Sequence, residues 1–123
     1  MKKIYTNQAP EPVGPYSQAV IANGFLYCSG QIGIDPKTNS MIDGSIEEQT
    51  LQIMKNVSSV LKEAGYTFDD VIKTTCFLDD MNNFSKFNEI YAEYFVSCPA
   101  RSCVEAKLPK NAKVEVEVIA YKD

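Results

Sequence analysis

The segment Val114-Glu115-Val116-Glu117-Val118 alternates strictly between a β-branched apolar residue and a carboxylate. Successive side chains of a strand point to opposite faces, so the valines share one face and the glutamates the other. Such a strand suits a sheet covered on one side only, and the chain needs helices for that side. It supplies two. Ser45-Ile46-Glu47-Glu48 has the form of a capping box, with Ser45 at the N-cap and Glu48 at the third helical position. Behind it Ile46, Ile53, Met54, Val57, Val60, Leu61 and Ala64 recur at helical spacing, and Gly65 supplies the stop. A second helix is expected to begin from a cap at Asn82 or Asn83 and to end before Pro99. Its aromatic stripe of Phe84, Phe87, Tyr91, Tyr94 and Phe95 reads as packing against the sheet.

The remaining segments read as strands. Asn23-Gly24 between Ser17–Ala22 and Phe25–Gln31 is a hairpin signal, and Asp35-Pro36-Lys37-Thr38-Asn39 is turn chemistry. Val71–Leu78, Arg101–Lys107 and Lys113–Tyr121 are β-prone, the last two joined by a Leu-Pro-Lys-Asn loop. The order ββαβαββ predicts an α+β two-layer sandwich, with a mainly antiparallel sheet covered by two helices on one face. In Arg101-Ser102-Cys103-Val104-Glu105 the odd positions share a face. With the helices on the valines, Arg101, Cys103, Glu105, Glu115 and Glu117 are expected together on the other side. That face reads either as a solvated surface or as a charged seam buried against another subunit.

Composition narrows the chemistry. The chain has 123 residues, with 12 lysines and arginines against 16 aspartates and glutamates, a formal charge of −4. That length predicts one domain, residues 1–123. There is no histidine, which excludes Ser-His-Asp and Cys-His pairs, His-ligated metals and imidazole acid–base catalysis. The acidic balance argues against a nucleic-acid partner. Lys2-Lys3 is followed by Ile4-Tyr5-Thr6-Asn7-Gln8, not an apolar run, so no signal peptide is expected. No apolar stretch approaches the ~20 residues that span a bilayer. The expected setting is the cytoplasm, with no membrane partner. Cys28, Cys76, Cys98 and Cys103 form no Cys-x-x-Cys pair and read as reduced thiols, and neither a metal nor a cofactor is expected.

Gly14-Pro15-Tyr16-Ser17-Gln18-Ala19, Ser29-Gly30-Gln31-Ile32, Lys73-Thr74-Thr75-Cys76-Phe77-Leu78 and Pro99-Ala100-Arg101-Ser102-Cys103-Val104-Glu105 stand in that order. Leu108-Pro109-Lys110 and Val114-Glu115-Val116-Glu117-Val118-Ile119-Ala120 complete the set. Over essentially the whole chain this closely resembles the Rid family, the reactive intermediate deaminases also called YjgF-type or L-PSP proteins. The Pro-Ala-Arg-Ser-Cys-Val-Glu run is the most specific motif and marks the RidA subgroup. One departure is a segment before Leu108 that is a residue shorter than the commonest pattern. The resemblance implies a chorismate-mutase-like fold and a homotrimer with active sites between subunits. It also implies hydrolysis of 2-aminoacrylate, 2-iminopropanoate and 2-iminobutanoate to 2-oxo acids and ammonia.

A small 2-imino carboxylate needs an anchor, and the planar guanidinium of Arg101 can bind one carboxylate through two parallel hydrogen bonds. The same residue matches the family's substrate-carboxylate arginine. Glu115 matches the glutamate that holds or activates water. Strand pattern alone does not separate it from Glu117, and the Lys-Val-Glu-Val-Glu match puts Glu115 first. The resemblance further implies substrate contacts from Tyr16, Ser29, Gly30, Asn88 and Cys103, the last through its backbone, because imine hydrolysis requires no covalent intermediate. Two other classes stand beside the deaminase: a non-catalytic small-carboxylate-binding regulatory module, and a ribonuclease or translation inhibitor. The charge of −4 and the absence of histidine count against the latter.

Overall fold

The computed structural model describes residues 1–123. Its main sheet has six strands in the order β1-β2-β3-β8-β6-β7. These are β1 (Lys2–Ile4), β2 (Ala19–Ala22), β3 (Phe25–Cys28), β6 (Val71–Leu78), β7 (Ala100–Glu105) and β8 (Val114–Tyr121). β4 (Ile34–Asp35) and β5 (Ser40–Met41) form a separate small hairpin, and α1 (Ile46–Ala64) and α2 (Phe84–Tyr94) cover one face of the main sheet. Every neighbouring pair is antiparallel except β6 with β7. That pair is parallel because α2 forms the crossover between them. The α+β architecture is therefore the one the sequence predicts, with extra strands too short for periodicity to reveal.

The local signals act as their chemistry requires. Ser45 and Glu48 close a reciprocal capping box, and Gly65 ends α1 in the left-handed region at φ 85°. Asn23 and Gly24, at φ 57° and 84°, make the tight β2–β3 turn. The second helix differs from expectation. Asn83 occupies its N-cap, but its side chain makes no capping bond. Asp80 instead accepts from the Asn82 N–H at 2.9 Å and caps the short turn that leads into α2.

The core lies between the helices and one face of the sheet. Val114, Val116 and Val118 are at most 1% exposed and pack with Ile53, Met54, Val57 and Leu61 of α1 and Phe87 of α2. Polar groups on α1 are put to use. Asn56 donates to the carbonyls of Ile34 (2.9 Å) and Ile32 (3.3 Å), and Gln49 accepts from the Lys113 N–H at 2.9 Å. These bonds fix the segment after β3 and the start of β8 against one helix. No helix is long and apolar enough to cross a membrane.

The sheet register corrects one expectation. Arg101, Cys103 and Glu105 sit beside Thr74, Cys76 and Leu78, and those three in turn sit beside Val118, Val116 and Val114. Laterally paired residues share a face. Arg101, Cys103 and Glu105 thus lie on the helix side of the edge strand, while Glu115 and Glu117 lie on the opposite side beside Phe77 and Thr75. Counting odd positions within each strand could not reveal this, because relative parity is set by the β6–β7 register.

Phe87 is fully buried between helix and sheet. Truncating it leaves a large cavity, so Phe87→Ala is expected to cost about 3–5 kcal/mol in denaturant unfolding.

Candidate functional site

A cleft of about 500 Å³ opens on the carboxylate side of β8. One wall comes from the N-terminal strap, through Pro10, Glu11, Val13 and Tyr16. The strap is held by Gln18, a side chain only 2% exposed. Its Oε1 accepts from the Thr6 N–H at 2.7 Å, and its Nε2 donates to the carbonyls of Thr6 at 2.9 Å and Pro10 at 3.0 Å. One glutamine therefore stands in for a strand ladder across an irregular segment.

The floor arises from a break in β3. Regular pairing with β8 reaches Tyr27 opposite Ile119 and resumes only at Gln31 opposite Val116. Four steps along one strand thus oppose three along the other, a bulge that lifts Ser29 and Gly30 out of the ladder. The Ser29 hydroxyl donates to the Ser17 carbonyl at 2.6 Å. With its hydrogen committed, that oxygen can only accept from a ligand. Gly30 lies directly over Glu115: a Cβ there would stand 2.8 Å from the Glu115 Cδ and overlap the carboxylate oxygen. Only glycine admits the carboxyl at this spot.

Tyr16, Ser29, Gly30 and Glu115 thus line one cleft, with Glu117 beside them. Burial, reinforced by the neighbouring Glu117, holds the Glu115 carboxyl above its ordinary range. Glu115 is therefore placed to hold or exchange a proton. A more open groove of about 660 Å³ lies on the other side of Tyr16 and Ser29, reaching Lys3, Val20 and Tyr27.

Arg101, Asn88 and Cys103 stand elsewhere, on the helix side of the sheet edge. The Arg101 guanidinium stacks 4.7 Å from the Tyr91 ring centroid and 5.4 Å from that of Phe84, and its Nη1 donates to Asn88 Oδ1 at 2.7 Å. Aromatic faces and a neutral oxygen fix the plane of the guanidinium without neutralising it. Its other N–H groups keep the geometry for a carboxylate. Tyr91, read from sequence as core, is both core and platform, held by a 2.7 Å hydrogen bond to Thr74. The Cys103 thiol is pushed up by burial, with Arg101 opposing, and Cys76 is pushed up to about 12. Neither is a thiolate near neutral pH, which leaves Cys103 its backbone groups as the useful ones.

The seven residues singled out from sequence thus form two clusters on opposite faces, an acidic cleft and an arginine platform. Sequence reasoning missed Gln18, whose role depends on a strap fold no local pattern encodes, and the Pro109-Lys110 rim of the cleft. No group of three or more cysteines, aspartates and glutamates converges to hold a metal ion.

Comparison with known proteins follows the same lines. The family described as endoribonuclease L-PSP matches residues 6–122. A RutC family protein of Pyrococcus horikoshii is 53% identical, over 98% of this chain and 97% of its own length. RidA from an Antarctic Psychrobacter has a crystal structure that superposes with a TM-score of 0.95 at 36% identity, covering 99% of this chain and 100% of that one. The crystal structure of E. coli TdcF with bound serine gives 0.94 at 37% identity, with both chains fully covered.

The raised pKa of Glu115 has a consequence for stability. An acid whose folded pKa lies above its unfolded value contributes its full stability at low pH and loses it as pH rises through the folded value. Glu115→Gln removes the ionised, half-buried carboxyl. It is expected to raise Tm at neutral pH, a gain that fades as pH falls below the carboxylate range, as thermal melts across pH will show.

Proposed function

The chain belongs to the endoribonuclease L-PSP family, the Rid proteins, and on that footing we propose that it is a hydrolytic deaminase of the RidA type. Its substrates in this reading are 2-aminoacrylate and the imines 2-iminopropanoate and 2-iminobutanoate, which it converts to 2-oxo acids and ammonia. The observation that carries the proposal is the pre-oriented, un-neutralised guanidinium of Arg101, matched by a half-buried carboxyl at Glu115. Serine bound to TdcF supports a small 2-amino-acid skeleton as the ligand class.

The chemistry asks little of the protein. Arg101 binds the substrate carboxylate and presents the C=N carbon. Glu115 orients a water and takes one of its protons as oxygen bonds to that carbon. 2-Aminoacrylate enters as its tautomer 2-iminopropanoate, and the imine nitrogen is protonated when water attacks, so the product is a neutral carbinolamine. Glu115 then returns the proton to nitrogen. As the C–N bond breaks to release ammonia, the hydroxyl proton passes to Glu115 and the C–O bond becomes the carbonyl of the 2-oxo acid. Ser29, restricted to accepting, steadies the N–H of the imine or the water. Tyr16, Gly30, Asn88 and the Cys103 backbone complete the binding surface. No cofactor enters this scheme.

Arg101 and Glu115 occupy opposite faces of one sheet, so a working site in this proposal joins the arginine platform of one copy to the cleft of another. The helix-free face offers the surface for it, with Val20, Tyr27, Phe77 and Ile119 beside the glutamates. We take the assembly to be a homotrimer, acting in the cytoplasm where short-lived intermediates of pyridoxal-phosphate dehydratases form. The family's description names an endoribonuclease, but a cleft bearing three glutamates against one lysine is ill suited to a polyphosphate.

The test is ammonia release while a threonine dehydratase generates its intermediate in situ. The protein is expected to accelerate it, and Arg101→Ala and Glu115→Gln are each expected to lose about 100-fold or more. Co-refolding the two variants in equal amounts should restore roughly a quarter of the sites, since hybrid interfaces reunite an intact arginine with an intact glutamate. Binding of 2-oxobutanoate without any rate effect would favour the regulatory-module reading. A mixture as inactive as its parts would refute the shared site.

A further inference from the structure

The loop between β7 and β8 holds two successive non-glycine residues in the left-handed region: Lys110 at φ 56°, ψ 29° and Asn111 at φ 56°. Asparagine tolerates that conformation, whereas lysine sits there at a steric cost that glycine or asparagine avoids. The turn is imposed from both sides. Pro109 fixes the backbone before it, and the buried Ala112 closes it with an N–H bond to the Pro109 carbonyl at 3.1 Å. Strained backbone at a cleft points to a side chain whose position matters.

Lys110 lines the same cleft as Glu11, Glu115 and Glu117, and it is the one cation on a wall of three carboxylates. It does not neutralise Glu115, whose carboxyl is held up by burial and by Glu117. Within one chain, a monoanionic substrate approaching this wall meets three carboxylates and a single cation. The chain's own Arg101 stands on the far face of the sheet, so in the proposed assembly the guanidinium that completes the site comes from another copy. We infer that Lys110 is the anion-recruiting residue of the cleft, drawing a small 2-imino or 2-oxo carboxylate past the glutamates before Arg101 takes it. This rests on the deaminase reading for its substrate, but the recruitment acts on any small carboxylate and is measurable as binding. Lys110 is a positioning residue: it raises the encounter rate and contributes little to the chemical step, so its effect falls on kcat/KM and weakens with salt.

Lys110→Asn keeps a residue that accepts the left-handed backbone and removes the charge, so misfolding does not confound the result. Relative to the parent, it is expected to lower kcat/KM about 3–10-fold at low ionic strength, to leave kcat unchanged, and to converge on the parent at high salt. Lys110→Arg is expected to retain the parent's values. The dissociation constant of 2-oxobutanoate, measured by calorimetry on the same proteins, should weaken in parallel. An Asn variant with parental kcat/KM and parental 2-oxobutanoate binding at low salt overturns the inference, as does an equal loss at low and high salt. A parent that binds 2-oxobutanoate in a Lys110-dependent way but accelerates no imine hydrolysis would sustain the recruiting role while refuting the deaminase. A parent that does neither refutes both.

Discussion

A central strand that is apolar on one side and carboxylate-bearing on the other governs this molecule. β8 lies between β3 and β6, so its valines must meet helices and its glutamates must not. Burying Val114, Val116 and Val118 ties both helices to the middle of the sheet, each valine adding roughly 1.5–3 kcal/mol of apolar transfer. The same alternation obliges Glu115 and Glu117 to project where no helix reaches. A half-buried carboxyl is the by-product of a strand whose opposite face is fully buried. The bulge at Ser29-Gly30 then decides how much water that carboxyl keeps.

The two clusters of polar chemistry are held by different physics. In the cleft, order comes from neutral hydrogen bonds to backbone: Gln18 on the strap, Ser29 on Ser17, Asn56 on the segment after β3. At the platform it comes from stacking, where Tyr91 and Phe84 hold the plane of Arg101. Neither device neutralises the charge it positions. Positioned yet unneutralised charge suits the recognition of a small charged ligand.

Much of this was legible in advance, for physical reasons. Capping boxes, Asn-Gly turns and apolar periodicity are local interactions, so α1, α2 and the β2–β3 hairpin could be read directly. The order of elements then left few sheets to consider. What stayed hidden depended on pairs of distant segments. Arg101 faces the helices because β7 lies parallel to β6 with Arg101 beside Thr74, a one-residue matter that no pattern within either strand encodes. The paired charges of Lys2 and Lys3 likewise gave no hint of β1, whose three residues become a strand only through pairing with β2. The site residues were found individually through family resemblance, and their division between two faces came only from the register.

The position of β7 carries a further consequence. It is the last strand of the sheet, so its outer row of amide and carbonyl groups has no ladder partner. Bare edges of this kind are templates for a strand from any other chain, and proteins commonly blunt them with charge, proline or a covering loop. Here Pro99 stands just outside the strand, and Val104 is 48% exposed within it. A strand from another chain can pair with this row through backbone hydrogen bonds alone, so β7 is the one part of the polar platform where chain-to-chain addition needs no match of side chains.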